Sequence, residues 1–302
     1  FNNTEHAASL FALKEFGNIY SRIGNPTVGA LEARLTALED GAMCVALSSG
    51  TSAVMYSLIN IMSQGDNFIS ASQLYGGTYT MFDNILPEYG INAKKVDITD
   101  FKAVEESIDE KTRAIYCETI TNPGLVVADI TALSEIAHAN GIPLIVDATF
   151  TTSAIQKSFD FGADIVVYSL TKWMSGHGRV IAGAVIEKGG FNWGNGNFPL
   201  YDKPDTSYGG MRWGHDLGDL SNVAYSLRLR TVPLRNLGAN MSPDTAFEVM
   251  SGLETLGLRM ERHCENAIKV AEFLLDHKLV EWVRFPGLKE DPAYDLSQKY
   301  LK

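Results

Sequence analysis

The chain has 302 residues, of which 45% are hydrophobic and 20% charged, which is the composition of an ordinary globular protein with room for about two domains. With 25 Lys and Arg against 36 Asp and Glu the net charge is −11, and because the sequence lacks basic runs we expect no nucleic-acid partner. No apolar stretch approaches the roughly 18 residues that cross a bilayer, and the three widely spaced cysteines indicate neither disulfides nor a metal site, so we expect a soluble, cytoplasmic protein.

Short β-branched runs alternate with amphipathic helical patterns, which is typical of a parallel sheet covered by helices on both faces. The first helix is predicted to start at Asn25, which can cap it, to carry Pro26 in its first turn, and to end before Gly41. The elements predicted after it, in chain order, are a strand at 43–47, a helix at 51–62, a strand at 68–71, a helix after Thr78, a strand at 113–118, a helix at 130–139, and strands at 142–146, 163–169 and 181–186. The sequence therefore predicts an α/β fold.

The composition changes twice in the second half of the chain. Residues 187–219 are rich in Gly, Asn, Trp and Pro without any period, which predicts a long structured loop. Helical patterns return from residue 243 to about residue 276, and they indicate the entry to a second domain.

The strongest chemical signal directly follows the strand predicted at 163–169. The segment 169–173, SLTKW, places a lysine and two hydroxyls at the carboxyl end of a strand, where open α/β sheets bind ligands. A lysine partly shielded from water can form a Schiff base with an aldehyde, so Lys172 is the candidate nucleophile. Taken alone, a lysine of this kind is more often an ordinary surface residue. Gly-rich nucleotide loops, nucleophile elbows and H-E-x-x-H motifs do not occur in the sequence.

Other residues fit an aldehyde cofactor of the pyridoxal type. Asp147 follows a buried strand and is placed to keep a pyridine nitrogen protonated, although a turn aspartate is the plainer interpretation. The segment 48–52, SSGTS, lies between a strand and a helix, where backbone N–H groups attract a phosphate, and Ser169 and Thr171 can add hydroxyl donors. Tyr75 follows a strand and would either stack on the ring or pack as a plain aromatic.

Several motifs occur together along nearly the whole chain. The lysine segment 168–173 reads YSLTKW, and it is accompanied by YSRI at 20–23, NPT at 25–27, and Glu118 with TNP at 121–123. This combination resembles the Cys/Met-metabolism pyridoxal-phosphate enzymes of fold type I. The loop that begins FNW at 191–193 is similar to the sulfhydrylase branch of that family.

The resemblance implies a role for each matching residue. Lys172, Tyr75 and Asp147 would be catalytic: Lys172 would bind pyridoxal 5′-phosphate as a Schiff base, Asp147 would pair with the pyridine nitrogen, and Tyr75 would stack on the ring. The remaining cofactor-binding residues would be Gly50, Thr51, Ser169 and Thr171 at the phosphate, Asn122 at the phenolic oxygen, and Tyr20 and Arg22 at the phosphate of the neighbouring subunit. The last pair implies a homodimer at least, with a homotetramer as the usual assembly.

The resemblance also implies how the chain is divided. Residues 1–25 would be the remainder of an N-terminal arm that reaches the neighbouring subunit, residues 26–240 the large cofactor-binding domain, and residues 241–302 the start of a C-terminal domain. The residue that binds the substrate carboxylate in this family is expected beyond position 302.

The implied reaction is γ-replacement, in which sulfide or a small thiol replaces the acetyl group of O-acetyl-L-homoserine and gives L-homocysteine and acetate. Lys172 would act as the general base at Cα and then at Cβ, and Tyr75 would assist proton transfer near Cγ. Two alternatives stay open: a γ-lyase or cystathionine γ-synthase that uses the same cofactor site, and a non-catalytic oligomeric remnant of such an enzyme.

Overall fold

Seven strands form one mixed sheet at the centre of the protein, which the computed structural model describes for residues 1–12, 14–15 and 17–301. The strands are β1 (Met43–Leu47), β2 (Asn67–Ala71), β3 (Asn92–Val96), β4 (Thr112–Glu118), β5 (Leu144–Asp147), β6 (Ile165–Ser169) and β7 (Gly183–Glu187). Their spatial order is β1–β7–β6–β5–β4–β2–β3. Neighbouring strands are parallel except where β7 pairs with β1 and β6, so the prediction of a mostly parallel α/β sheet is confirmed.

Helices connect these strands and cover the sheet. They are α1 (Thr4–Phe11), α2 (Pro26–Glu39), α3 (Gly50–Ile59), α4 (Gly76–Thr80), α5 (Phe101–Glu106), α6 (Ile130–Ala139), α7 (Thr152–Ile155), α8 (Pro199–Asp202), α9 (Ala224–Leu229), α10 (Arg235–Leu237), α11 (Pro243–Leu253), α12 (Leu256–Leu275) and α13 (Tyr294–Tyr300). Every residue of β2, β4 and β7 is buried. Because successive side chains of a strand point to opposite faces, both faces of the sheet are covered.

Helix α2 forms where its sequence predicts. The Asn25 side chain accepts hydrogen bonds from the first free backbone N–H groups of the helix, and Pro26 occupies its first turn. Leu31 and Leu35 are completely buried on the side of α2 that packs against β1. Asp40 adopts a left-handed conformation and ends the helix one residue before Gly41.

Several predicted boundaries shift by one to three residues, among them the ends of the helix predicted at 51–62, observed as Gly50–Ile59, and of the strands predicted at 163–169 and 181–186, observed as Ile165–Ser169 and Gly183–Glu187. The strand predicted from residue 142 begins at Leu144, because Pro143 has no N–H group to donate to a neighbouring strand. Asp147 is therefore the last residue of β5 rather than the residue after it. The helix predicted after Thr78 begins at Gly76 and continues as a π-helical turn, Met81–Ile85.

The segment 187–219 is a structured loop, as its composition predicts. The Trp193 indole is buried and donates a hydrogen bond from Nε1 to the Glu187 carboxylate (3.2 Å). Its ring stacks on Tyr201 and Tyr225, with each pair of ring centroids 5.1 Å apart. An aromatic cluster thus attaches the loop to the end of β7.

The described residues can be compared with the predictions about a membrane, a metal, the cysteines and the division of the chain. Among them no helix combines the length and apolar character needed to span a bilayer, and no three His, Cys, Asp or Glu side chains are grouped to hold a metal. Cys44 and Cys117 are buried free thiols. Of the expected three-part division of the chain, residues 13, 16 and 302 lie outside the described residues, and the division itself stays a prediction.

Candidate active site

A cavity of about 730 Å³ opens at the carboxyl ends of β4, β5 and β6. Eight of the ten predicted site residues line it: Gly50, Thr51, Tyr75, Asn122, Asp147, Ser169, Thr171 and Lys172. The other two, Tyr20 and Arg22, lie outside its lining. Residues that the sequence placed after five different strands or turns therefore meet around one space, as expected where parallel strands end together.

Lys172 lies in the turn that follows β6. Its backbone N–H donates to the Ser169 carbonyl (3.2 Å), and its own carbonyl accepts from the Gly176 N–H (2.9 Å). The lysine side chain is exposed at the cavity, so the expected shielding from water is not provided by residues of its own chain. Gly176 and Gly178, which line the same cavity, have no side chains that could cover the amine.

Asp147 lies at the end of a central strand, where its side chain is half-buried in the cavity wall. Its Oδ1 accepts from the Thr149 N–H (2.9 Å), and its Oδ2 accepts from the Tyr116 hydroxyl (3.3 Å). Burial raises the pKa of the Asp147 carboxyl above its ordinary value, and the hydrogen bonds from Thr149 and Tyr116 act in the opposite direction. A cation held at this carboxylate would compensate the desolvation, so the site suits a protonated ring nitrogen.

The start of α3 forms a cradle against the end of β6. The Ser49 hydroxyl caps the helix by accepting from the Ser52 N–H (3.0 Å). A Cβ atom on Gly50 would lie 2.5 Å from the Cβ and 2.8 Å from the Cα of Ser169, so only glycine allows this approach. The N–H groups of Gly50 and Thr51 then share the cavity with the hydroxyls of Thr51 and Ser169, and this donor set suits a phosphate. The Thr171 hydroxyl also lines the cavity but donates to the Ala182 carbonyl (3.2 Å).

Glu118 organises the side of the cavity opposite the cradle. Its Oε1 accepts from the backbone N–H of Tyr75 (2.7 Å), and its Oε2 accepts from that of Asn122 (3.0 Å). The residue is 5% exposed, and burial, followed by the nearby charge of Asp147, raises the pKa of its carboxyl to about 7. One carboxylate therefore fixes the backbone of two predicted cofactor ligands.

No role for Glu118 was predicted from the sequence, although the same signal that marked Asp147 applies to it. Both are carboxylates at the end of a buried strand, and they are directly opposite each other in the β4–β5 register. Arg259 and His263 of α12 also line the cavity and were assigned no role. They lie almost ninety positions after Lys172, and nothing local in their sequence indicates that they return to it.

Tyr20 and Arg22 lie in the surface segment that precedes α2. The Tyr20 side chain is 61% exposed, and the Arg22 guanidinium carbon is 5.3 Å from the centroid of the Tyr20 ring. The two residues are thus adjacent to one another and outside the cavity of their own chain.

The arrangement suits a flat, anionic aldehyde. An amine, a half-buried carboxylate and a phosphate cradle surround the cavity, and the Tyr75 ring, half-exposed, lies at its edge. The Gly50 cradle and the carboxylate of Asp147 fit the phosphate and the ring nitrogen of pyridoxal phosphate.

Known proteins resemble the chain over nearly its whole length. A sequence profile described as Cys/Met metabolism PLP-dependent enzyme matches residues 1–302. The O-acetyl-L-homoserine sulfhydrylase of Leptospira meyeri is 45% identical over 99% of this chain and 69% of its own length. The homocysteine synthase of Schizosaccharomyces pombe is 44% identical over 100% of this chain and 70% of its own length. A crystal structure from Campylobacter jejuni that contains N′-pyridoxyl-lysine-5′-monophosphate has a TM-score of 0.95 and 38% identity, and the match covers 100% of this chain and 75% of that one.

Proposed function

The chain belongs to the Cys/Met metabolism PLP-dependent enzyme family, and from this premise we propose that it replaces the acetyl group of O-acetyl-L-homoserine by sulfide or a small thiol, giving L-homocysteine and acetate. The family, the enzyme class and the pyridoxal phosphate cofactor predicted from the sequence are confirmed. The observation that carries the proposal is the meeting of Lys172 and Asp147 in one cavity with the Gly50 cradle. Relatives named for this reaction or its product support it.

Each predicted ligand has a place in this proposal. Asp147 holds the protonated pyridine nitrogen, Asn122 binds the phenolic oxygen, and Tyr75 covers the ring. The phosphate is bound by Gly50, Thr51, Ser169 and Thr171. When bound, pyridoxal phosphate supplies an electron sink that stabilises negative charge on the carbon atoms beside the substrate amino group.

Lys172 carries the proton transfers. Its Nζ would hold the cofactor until substrate arrives. The freed amine takes a proton from Cα, passes it on, and then takes a proton from Cβ, and protons return to both carbon atoms before the product leaves. The hydrogen bonds of its backbone to Ser169 and Gly176 fix the base of the side chain, while the exposed stem lets the amine move between these carbon atoms. The Tyr75 hydroxyl assists proton transfer near Cγ, where the C–O bond to acetate breaks and the C–S bond forms.

The assembly in this proposal is a homodimer at least, with a homotetramer as the expected form. Tyr20 and Arg22 lie outside the cavity of their own chain, which supports a contribution to the cavity of a second copy. A guanidinium binds phosphate oxygens in a bidentate manner, which suits Arg22 to this task. A cytoplasmic location also belongs to the proposal.

Product analysis of the full-length protein with its cofactor tests the function. O-acetyl-L-homoserine and sulfide should give homocysteine and acetate in equal amounts, and K172A should give neither. Release of an α-keto acid from thioether substrates, without homocysteine from sulfide, would instead support a γ-lyase. Cofactor binding without turnover of either kind would support a non-catalytic remnant.

A further inference from the structure

We propose that Arg259 is a positioning residue that clamps the turn carrying Lys172 to helix α12. The inference rests on the proposed role of Lys172 in binding the cofactor. It concerns a residue in a different part of the chain from the strands and loops that supply the predicted ligands.

The guanidinium of Arg259 binds the backbone directly after the lysine. Its Nη1 donates to the Trp173 carbonyl (2.7 Å), and its Nη2 donates to the Met174 carbonyl (3.4 Å). The same Nη2 donates to the Gly252 carbonyl near the end of α11 (2.8 Å). A single side chain therefore joins the lysine turn to the junction of two C-terminal helices through charge-assisted hydrogen bonds.

These bonds occupy most of the donors of Arg259. Its Nε donates to the Thr255 hydroxyl (3.1 Å), so four of the five N–H groups of a guanidinium have partners. One remaining N–H cannot make the paired contact that binds a carboxylate or phosphate in a bidentate manner. Arg259 therefore acts on Lys172 through the turn, and not by binding substrate.

The packing around the clamp is closely fitted. A Cβ atom on Gly252 would lie 2.2 Å from the Ser175 carbonyl oxygen. Gly176 has a φ of +69°, and a Cβ there would lie 2.4 Å from Nη1 of Arg259. The turn and the helices can approach this closely only because glycine occupies both positions.

A second contact comes from the next turn of α12. The His263 ring lies against the Trp173 indole, with the two ring centroids 4.8 Å apart and the planes tilted by 53°. Helix α12 thus contacts both the backbone carbonyl and the indole ring of Trp173, the residue after Lys172. Residues 176–179 at the end of the turn are exposed, so this contact restrains a segment that has solvent on its other side.

The test distinguishes an effect on the position of the Lys172 amine from an effect on the affinity of the cofactor pocket. Apoprotein prepared from the full-length protein is mixed with pyridoxal phosphate, and the growth of visible absorption gives the rate of condensation with Lys172. Pyridoxine 5′-phosphate, which has no aldehyde, gives the affinity of the pocket alone. In R259Q the condensation rate should fall by about tenfold, while the affinity for pyridoxine 5′-phosphate should stay within about twofold of wild type. R259K, which keeps the charge but not the fork of donors, should give an intermediate rate.

A matched control is available at the same helix junction. Arg34 pairs with Glu254 (2.5 Å) but contacts no carbonyl of the lysine turn, so R34Q should condense at the wild-type rate. Hydrogen exchange of the holoenzyme gives a readout that needs no chemistry: amides of residues 170–178 should exchange faster in R259Q and R259K, and at the wild-type rate in R34Q. If R259Q does not fold, the condensation rate and the hydrogen exchange of R259K test the clamp in its place.

The possible outcomes are distinct. An unchanged condensation rate and unchanged exchange in the Arg259 variants would overturn the clamp, as would an equal loss of condensation rate and pyridoxine 5′-phosphate affinity. If wild type condenses with the cofactor but makes no homocysteine, the proposed function fails while the clamp is still tested by the same comparison.

Discussion

At the scale of single residues, two neighbouring carboxylates have different functions in the site. Glu118 and Asp147 end adjacent strands and lie opposite each other in register. Both carboxyls have a raised pKa because they are buried. Both oxygens of the Glu118 carboxylate accept hydrogen bonds from backbone N–H groups, so Glu118 stabilises the backbone that lines the cavity. Among the described residues Asp147 accepts hydrogen bonds from Thr149 and Tyr116 and from no cationic side chain, which leaves it to bind a positively charged ligand.

Replacing Asp147 by Asn should separate catalysis from cofactor binding. The amide keeps the size of the side chain but cannot stabilise a protonated ring nitrogen, so kcat should fall by about 100-fold or more. Lys172 and the phosphate cradle are unchanged, so the cofactor should stay bound. Steady-state rates and the visible spectrum measure the two effects. Asp160 is an exposed carboxylate in a surface turn, so D160N is the matched control, and a D147N enzyme with wild-type kcat would refute the role.

Replacing Gly50 by Ala should damage the phosphate cradle. The new methyl group would meet Ser169 at 2.5 Å and push α3 away from β6, which we expect to lower the free energy of unfolding by about 1–3 kcal/mol. Cofactor affinity should fall by about tenfold because the helix start moves. Gly29, in the interior of α2, has open space at its Cβ position, so G29A should raise the stability by about 0.5–1 kcal/mol and leave cofactor affinity unchanged. Equal cofactor affinity in G50A and wild type would contradict the cradle.

At the scale of elements, buried strands were the most predictable part of the fold. Met43–Leu47 has the bounds that its apolar run predicts, because four of its five residues are buried. Strand β3, Asn92–Val96, was missed because it lies at the edge of the sheet and carries two lysines instead of an apolar run. Lys94 and Lys95 form ion pairs with Asp109 and Asp83, contacts that no local pattern predicts.

The same distinction between local and distant signals holds for the site. Lys172 and Asp147 could be predicted to lie near one another because each stands at the end of a strand, and the sheet then brings strand ends together. Arg259 could not, because its contact with the lysine turn depends on how α12 packs. The exposure of Lys172 was also not predictable, since it depends on what lies above the turn in three dimensions.

The contact between α2 and β6 should make stability depend on pH through Glu39. This residue ends α2, is 1% exposed and accepts a hydrogen bond from the Tyr168 hydroxyl, and burial raises the pKa of its carboxyl from 4.5 to about 7. Because the folded pKa lies above the unfolded one, the folded chain holds this proton more tightly. The stability that Glu39 contributes is therefore full below pH 4.5 and is lost as the pH rises to about 7.

E39Q should remove this dependence, since the amide keeps the shape and cannot ionise. Urea denaturation at several pH values should show the variant gaining stability over wild type from about pH 5 to pH 7, by up to about 3 kcal/mol, and a constant difference at higher pH. E105Q alters an exposed carboxylate of α5 and should follow the wild-type curve. If the free energy of unfolding changed with pH in the same way for E39Q and wild type, Glu39 would not be the source of the pH dependence.

At the scale of the whole molecule, the proposed function includes an active site shared between two copies of the chain, to which the two predicted ligands outside the cavity would contribute. Tyr20 and Arg22 are adjacent on the surface segment before α2, and the cavity of one chain leaves Lys172 exposed. A second copy that brings Arg22 to the phosphate cradle would supply a guanidinium for the phosphate. The two chains would then depend on one another for catalysis.

Mixed oligomers of two inactive variants test this dependence. R22A lacks the guanidinium and K172A lacks the amine, so each alone should show little or no turnover. In a random mixture, half of the dimers are mixed and each mixed dimer contains one intact site, so about a quarter of the wild-type activity should return. Coexpression with two different affinity tags, followed by purification on both, isolates the mixed dimers, and this material should show about half of the wild-type activity. Activity no higher than that of the separate variants would mean that Arg22 serves its own chain or no site.

The whole account depends on a covalent bond between Lys172 and the cofactor aldehyde. Borohydride reduction of the full-length protein with pyridoxal phosphate, followed by proteolysis and mass spectrometry, measures it most directly. We predict one phosphopyridoxyl group per chain on the peptide that contains Lys172, an unchanged adduct in K157A, and none in K172A. An adduct on another lysine, or no adduct in a protein that binds the cofactor, would contradict the assignment of the site.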